Sequence, residues 1–158
     1  MNNNCNIHIK NPGNVLFVGL GNRFRKDDYV GLYIGETLKK CSNLQVLNVD
    51  NSLENYLGII RDIAPEEVIL IDAIHFNREP GYYNIIPLTC IKNDTVNTHS
   101  ISLRQCAKFM RINRIRILGI QPEDVSFGTI LSQQVLNTAH IIIYQLLKLN
   151  AKTKTLQP

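Results

Sequence analysis

A mainly parallel α/β domain is the fold class this sequence predicts, and three observations predict it. Residues 15–18 (VLFV) and 68–71 (VILI) are uninterrupted apolar runs between breakers, the pattern of strands buried on both faces. Segments with helical spacing alternate with such runs: Val30, Ile34 and Leu38 recur four residues apart, as a stripe does at Val135, Ala139, Ile142, Leu146 and Leu149. The connections between them are long enough for crossovers, so strands and helices combine as βαβ units with helices covering both sheet faces.

Taken in order, residues 1–13 read as a flexible tail ending in the turn pair Pro12-Gly13. The first strand is followed by the glycine-rich Gly19-Leu20-Gly21-Asn22 and the polar stretch RFRKDD. A helix is expected over 28–40, with Asp27 and Asp28 at its positive end and Lys39 and Lys40 at its negative end. Residues 44–49 form the second strand, ending at Asp50, and 52–63 a helix bounded by Pro65. The third strand, 68–71, ends on Asp72. An edge strand over 82–86 follows the Pro80-Gly81 turn, and 87–98 read as loop up to His99. A helix from about 100 to 110, a strand over 115–120 and the loop QPEDVSFGTI come next. The last helix starts near Ser132, a good N-cap residue, and the end from 151 to 158 should fray. One domain, residues 14–150, accounts for the chain, which is long enough for a real core.

Composition narrows the function classes. The hydrophobic fraction is 44%, that of a globular domain. With no Trp and 7% aromatics, a stacking platform for single-stranded nucleic acid is not expected. The net charge of +4 is scattered, apart from Arg111, Arg114 and Arg116, and fits a solvated surface rather than a nucleic-acid partner. Cys5, Cys41, Cys90 and Cys106 show no zinc spacing and no disulfide framework, which points to free thiols in a reducing compartment. No apolar run approaches the ~20 residues of a membrane span, and the polar start has no signal-peptide pattern. A cytoplasmic monomer is the expectation.

Right-handed crossovers place strand C-termini along one sheet edge, where open sheets bind ligands. Gly21 and Asn22, Asp50, Asp72 and the loop carrying His99 all fall there. Singly, Asp28 reads as a helix-start acid, Asp72 as a turn cap and His99 as a loop histidine. Jointly, two carboxylates and an imidazole make a ligand set for a divalent transition metal. A buried carboxylate after four apolar residues also needs a partner, which a metal or bound cation would supply. His75, three residues beyond Asp72, reads first as a surface histidine and second as an added ligand. His8 and His140 suggest nothing beyond surface. Gly19-x-Gly21 with Asp50 also sketches a dinucleotide fingerprint, but Phe24 stands at the third glycine position and RFRKDD delays the helix that would hold a pyrophosphate.

The segments VLFVGLGNRFRKDDYVG, EVILIDAI, NTHSISL and ILGIQPEDVSFG, in that order, resemble the hydrogenase maturation endopeptidases over roughly residues 14–149. THSISL and GIQPEDVSFG are most similar to the type that processes formate-hydrogenlyase-like nickel-iron hydrogenases. The resemblance implies a three-layer α/β/α sandwich with a twisted five-stranded sheet. It implies an endopeptidase of aspartic type that removes a C-terminal extension from the hydrogenase large-subunit precursor after nickel insertion. By motif match, Asp28, Asp72 and His99 contact the metal, Asp28 and Asp72 are catalytic, and Gly21 and Asn22 hold substrate. The nickel would arrive with the precursor, and the free enzyme would need no tightly bound metal. Tyr29 stands where many members have glycine, and Asn51-Ser52 where many have a glycine pair. A nucleotide-binding oxidoreductase domain and a non-catalytic maturation chaperone remain the alternatives from other classes.

Overall fold

The computed structural model describes residues 6–50, 52–90 and 99–154, with side chains in the last segment from 105 to 151. Strands β1 (Val15–Gly21), β2 (Gln45–Asp50), β3 (Glu67–Ala73), β4 (Tyr83–Pro87) and β5 (Ile115–Ile120) form one sheet in the order β2-β1-β3-β5-β4. All neighbours run parallel except β4, which pairs antiparallel with β5 at the edge. Helices α1 (Val30–Cys41) and α4 (Gln133–Lys154) cover one face; α2 (Leu57–Ile63) and α3 (His99–Met110) cover the other. The sheet is therefore the middle layer of an α/β/α sandwich, as the resemblance implies.

The unbroken apolar runs explain this layering. Strand side chains alternate between faces, so Val15, Phe17, Ile69 and Ile71 meet Val30, Ile34, Val135 and Ile142 on one side. Leu16, Val18, Val68 and Leu70 meet Ile60, Cys106 and Met110 on the other. Each fully buried Val, Leu or Ile stabilises the fold by about 2 kcal/mol. A polar residue at any of these positions would face a helix, not water.

Two glycines set how closely α1 lies on the sheet. A Cβ on Gly31 would come within 2.1 Å of the Ile71 carbonyl oxygen and 2.3 Å of that of Leu20. One on Gly19 would meet the Gly31 oxygen at 2.4 Å. The glycine loop thus serves helix-to-sheet contact, which removes the reason to read it as a phosphate cradle.

Five expectations differ from the structure. Residues 6–11 do not form a free tail: Ile7 and Ile9 are buried in the core and the Ile7 N–H donates to Gln145 Oε1. The helix expected over 28–40 begins as a 3-10 turn, Lys26–Tyr29, in which the Val30 N–H donates to Asp27 O, and becomes α-helical only at Val30. Similarly, the helix expected over 52–63 starts as the 3-10 turn Leu53–Tyr56. Residues 151–154, expected to fray, continue the last helix, which runs to Lys154; residues 155–158 lie outside the described part. The expected 87–98 loop holds a 3-10 turn, Leu88–Cys90, with Leu88 buried; residues 91–98 lie outside the described part.

Candidate active site

Asp72 is the next-to-last residue of β3, opposite Gly119 of β5, and only 6% exposed. Its position follows from the strand: the apolar run drives residues 68–71 into the core and carries the next residue to the carboxyl edge still inside the protein. Its Oδ1 accepts the Ala73 N–H at 2.8 Å. Burial pushes its pKa up to about 8, the Asp28 charge adds to this, and the Ala73 bond opposes it. At neutral pH Asp72 therefore holds a proton beside a second carboxylate. An approaching cation would reverse that, displacing the proton and engaging both groups.

Asp28 lies in the 3-10 turn that enters α1. Gly21 and Asn22 hold its backbone. A Cβ on Gly21, whose φ is +142°, would sit 1.9 Å from the Asp28 carbonyl oxygen. The Asn22 N–H donates to that same oxygen at 3.2 Å, and Asn22 Oδ1 accepts the Phe24 N–H at 2.9 Å. The two residues expected to hold substrate thus have a visible part in placing Asp28.

His99 is the first residue of α3, not part of a preceding loop; its side chain lies outside the described residues. Because α3 leads down into the start of β5, its first turn stands toward the carboxyl edge. Among the described residues no group of three His, Cys, Asp or Glu gathers; of the three expected ligands, Asp28 and Asp72 are near enough to interact electrostatically, and the His99 side chain lies outside the described residues. His75 is exposed, its Nδ1 3.5 Å from Gln121 Nε2.

Two residues that sequence reasoning passed over build the walls of this edge. Asp27, read only as a helix-start acid, is 0% exposed. Its Oδ2 accepts the N–H groups of Glu123 and Asp124 at 2.9 and 3.0 Å and the Ser132 hydroxyl at 2.9 Å; its Oδ1 accepts the Ser132 N–H at 2.7 Å. It fastens the loop between β1 and α1 to the loop between β5 and α4. Gln121, at the end of β5, is the second. Its Oε1 accepts the N–H of Phe76 at 2.7 Å and of Arg78 at 3.4 Å, fixing the loop that carries His75. Gln121 had a signal, the QPED segment whose polar residues follow directly on a buried strand; Asp27 had none in its own neighbourhood.

Tyr29 shapes the β2 side. Its hydroxyl donates to Glu36 at 2.7 Å, and the Arg23 guanidinium lies over its ring at 5.6 Å. Arg23 also pairs with Glu36 and, at 3.6 Å, with Asp50. Burial, followed by the Glu36 bond, pushes the Tyr29 pKa up to about 12. Burial alone would raise Glu36, but hydrogen bonds from Tyr29 and Arg23 bring it below the usual carboxylate value. Asp50 is thus committed to Arg23 rather than to a ribose.

A five-stranded, mostly parallel sheet between layers of helices is the fold of a known class of proteases. The fold matches the hydrogenase maturating endopeptidase HybD of Escherichia coli with a TM-score of 0.73 at 19% identity, over 88% of this chain and 93% of that one. It matches the [NiFe] hydrogenase maturation protease HycI of Thermococcus kodakarensis KOD1 with a TM-score of 0.69 at 28% identity, over 84% and 92%. The hydrogenase 3 maturation protease of Escherichia coli K12 is 26% identical over 135 residues, 80% of this chain and 85% of that protein. The family model for the HycI hydrogenase maturation protease matches residues 30–149. The chain belongs to the hydrogenase maturation protease family and is a peptidase. No helix among the described residues is long and apolar enough to cross a membrane.

Proposed function

We propose that this peptidase removes the C-terminal extension of a nickel-iron hydrogenase large-subunit precursor once nickel has been inserted, and that Asp28, Asp72 and His99 recognise that nickel as part of the substrate. The observation that carries this reading is the placement of Asp72, buried at the carboxyl end of β3 within electrostatic reach of Asp28. Two neighbouring carboxylates, one of them buried, each make the other costlier to ionise, and a divalent cation would let both ionise. Nickel-free precursor then meets a site lacking that partner, so cleavage waits for the completed metal centre.

Hydrolysis itself needs a base and a proton carrier. An ionised carboxylate of the pair accepts a proton from the attacking water as its oxygen bonds to the scissile carbonyl carbon. The same proton passes to the amine as the carbon–nitrogen bond breaks. Cys41, Cys90 and Cys106 carry free thiols, which suits a reducing, cytoplasmic setting.

The test is a cleavage assay with nickel-loaded and nickel-free precursor. Release of the extension only from loaded precursor, lost in Asp72→Asn, is the expected result. Equal cleavage of both forms would remove the nickel-recognition role. A precursor that binds tightly but stays intact would mean it is not this peptidase's substrate.

A further inference from the structure

The loop that presents Asp28 is half of a rigid two-loop ribbon, and the ribbon holds two aromatic rings in solvent. Arg25 and Gly128 form a parallel bridge. The Lys26 N–H donates to Gly128 O at 2.9 Å, the Gly128 N–H to Phe24 O at 2.9 Å and the Asp27 N–H to Asp124 O at 3.1 Å. Arg25 Nε adds a bond to Val125 O at 3.1 Å, and Lys26 pairs with Asp124. Beneath these, the Asp27 carboxylate accepts its four bonds. The result sets Phe24 and Phe127 together, ring centroids 6.5 Å apart and ring planes nearly parallel. They are 61% and 84% exposed, and Ile130 on the same loop is 79% exposed.

Resting on the function proposed above, we infer that Phe24, Phe127 and Ile130 form the docking surface for the body of the large-subunit precursor, through an apolar patch of that partner. Three observations commit the surface to this occupant. The patch is continuous with the candidate site, since Phe24 lies between Asn22 and Asp28 on one loop. Of the nearby charges, Arg23 pairs with Glu36 and Asp50 and Lys26 with Asp124, while Arg25 Nε bonds to the Val125 carbonyl, so the surface the three side chains present is chiefly apolar with one cation at its rim. The ribbon's internal bonds have already ordered the rings, which lowers the entropy lost on binding. Aromatic anchors in a preformed setting are the residues that usually dominate an interface.

Binding and cleavage are measured separately for the wild type, for Phe24→Ser/Phe127→Ser and for Ile130→Ser, using purified nickel-loaded precursor, with thermal melting as the folding control. In the double variant, precursor affinity falls by about tenfold or more. Its cleavage defect is overcome by raising the precursor concentration, and its melting temperature stays near that of the wild type. Ile130→Ser shows a smaller loss of the same kind, and it carries the test if the double variant fails to fold. Unchanged affinity in a folded variant overturns the proposal, as does a wild type that does not bind precursor. A self-associated wild type that these substitutions turn into a monomer without loss of precursor affinity would assign the patch to a second copy instead. A wild type that binds precursor through the patch but leaves it intact overturns the proposed reaction while upholding the docking surface.

Discussion

Asp27 and Asp28 are neighbours with the same side chain and different tasks. Asp27 spends its carboxylate on four donors from residues 123–132, whereas Asp28 stands beside Asp72 at the sheet edge. Asn at position 27 has a single acceptor oxygen and turns an NH2 group toward N–H donors. Asp27→Asn should therefore cost about 2–4 kcal/mol, because buried donors lose their partners. Asp28→Asn should leave melting within a few degrees yet reduce cleavage about a hundredfold or more. Thermal melting beside precursor cleavage separates the two, and a stable Asp27→Asn would refute the clamp. Asp72 gives a pH signature. In the folded protein it holds its proton up to about pH 8, while unfolded it loses it near 3.8. Between those values the folded state binds one more proton than the unfolded, so this residue's contribution to stability falls as pH rises and is lowest above about pH 8. Asp72→Asn should remove that slope. The variant should melt several degrees above the wild type at about pH 9, match it near pH 4, and lose nickel-dependent cleavage. Parallel melting curves at both pH values would mean that Asp72 is ionised in the native state.

At the scale of elements, what was legible followed from local patterns and what was not depended on distant ones. The runs at 15–18 and 68–71 marked buried strands because a two-faced sheet admits only apolar residues there, and the edge strand β4 was readable from its place after the Pro80-Gly81 turn. The Asp27 clamp was invisible because its partners lie about a hundred residues further along, and two adjacent aspartates look alike in a helix-start pattern. His99 was displaced from loop to helix by the usual uncertainty of helix ends. The glycines show the same divide. Gly31 and Gly58 both sit in helices, but only Gly31 faces carbonyl oxygens, while a Cβ on Gly58 meets nothing within 4 Å. Gly31→Ala should push α1 off β1 and β3, costing about 3 kcal/mol or more. Gly58→Ala should stabilise the protein by about 0.5–1 kcal/mol through helix propensity. Urea unfolding of the pair tests this; a tolerated Gly31→Ala would mean that α1 is not held at the observed distance.

Across the whole molecule, the two edges of the sheet do opposite work. The amino edge is closed by ion pairs and hydrogen bonds: buried Glu67 pairs with Arg116 and with Arg114 at 3.2 Å, and Arg116 Nη1 donates to His8 O at 3.1 Å. The segment before β1 joins this closure, with Ile7 and Ile9 buried in the same cluster as Ile142 and Leu146 of α4. The carboxyl edge instead keeps two carboxylates together and two aromatic rings exposed, arrangements that cost stability and gain value only when a partner arrives. Stability and chemistry should then be separable by mutation. Ile7→Ala/Ile9→Ala removes buried apolar volume at the amino edge, at about 2 kcal/mol or somewhat less per site, since the segment can partly collapse onto α4. A chain of this size should then melt about 6–12 °C lower. Its cleavage rate on nickel-loaded precursor, measured well below that melting point, should match the wild type, because Asp28, Asp72 and the ribbon lie at the other end of the strands. A melting temperature that does not move would show that residues 6–11 contribute nothing to the fold. A normal melting temperature shift accompanied by a collapse in cleavage rate would show that the amino edge and the site are coupled through the sheet.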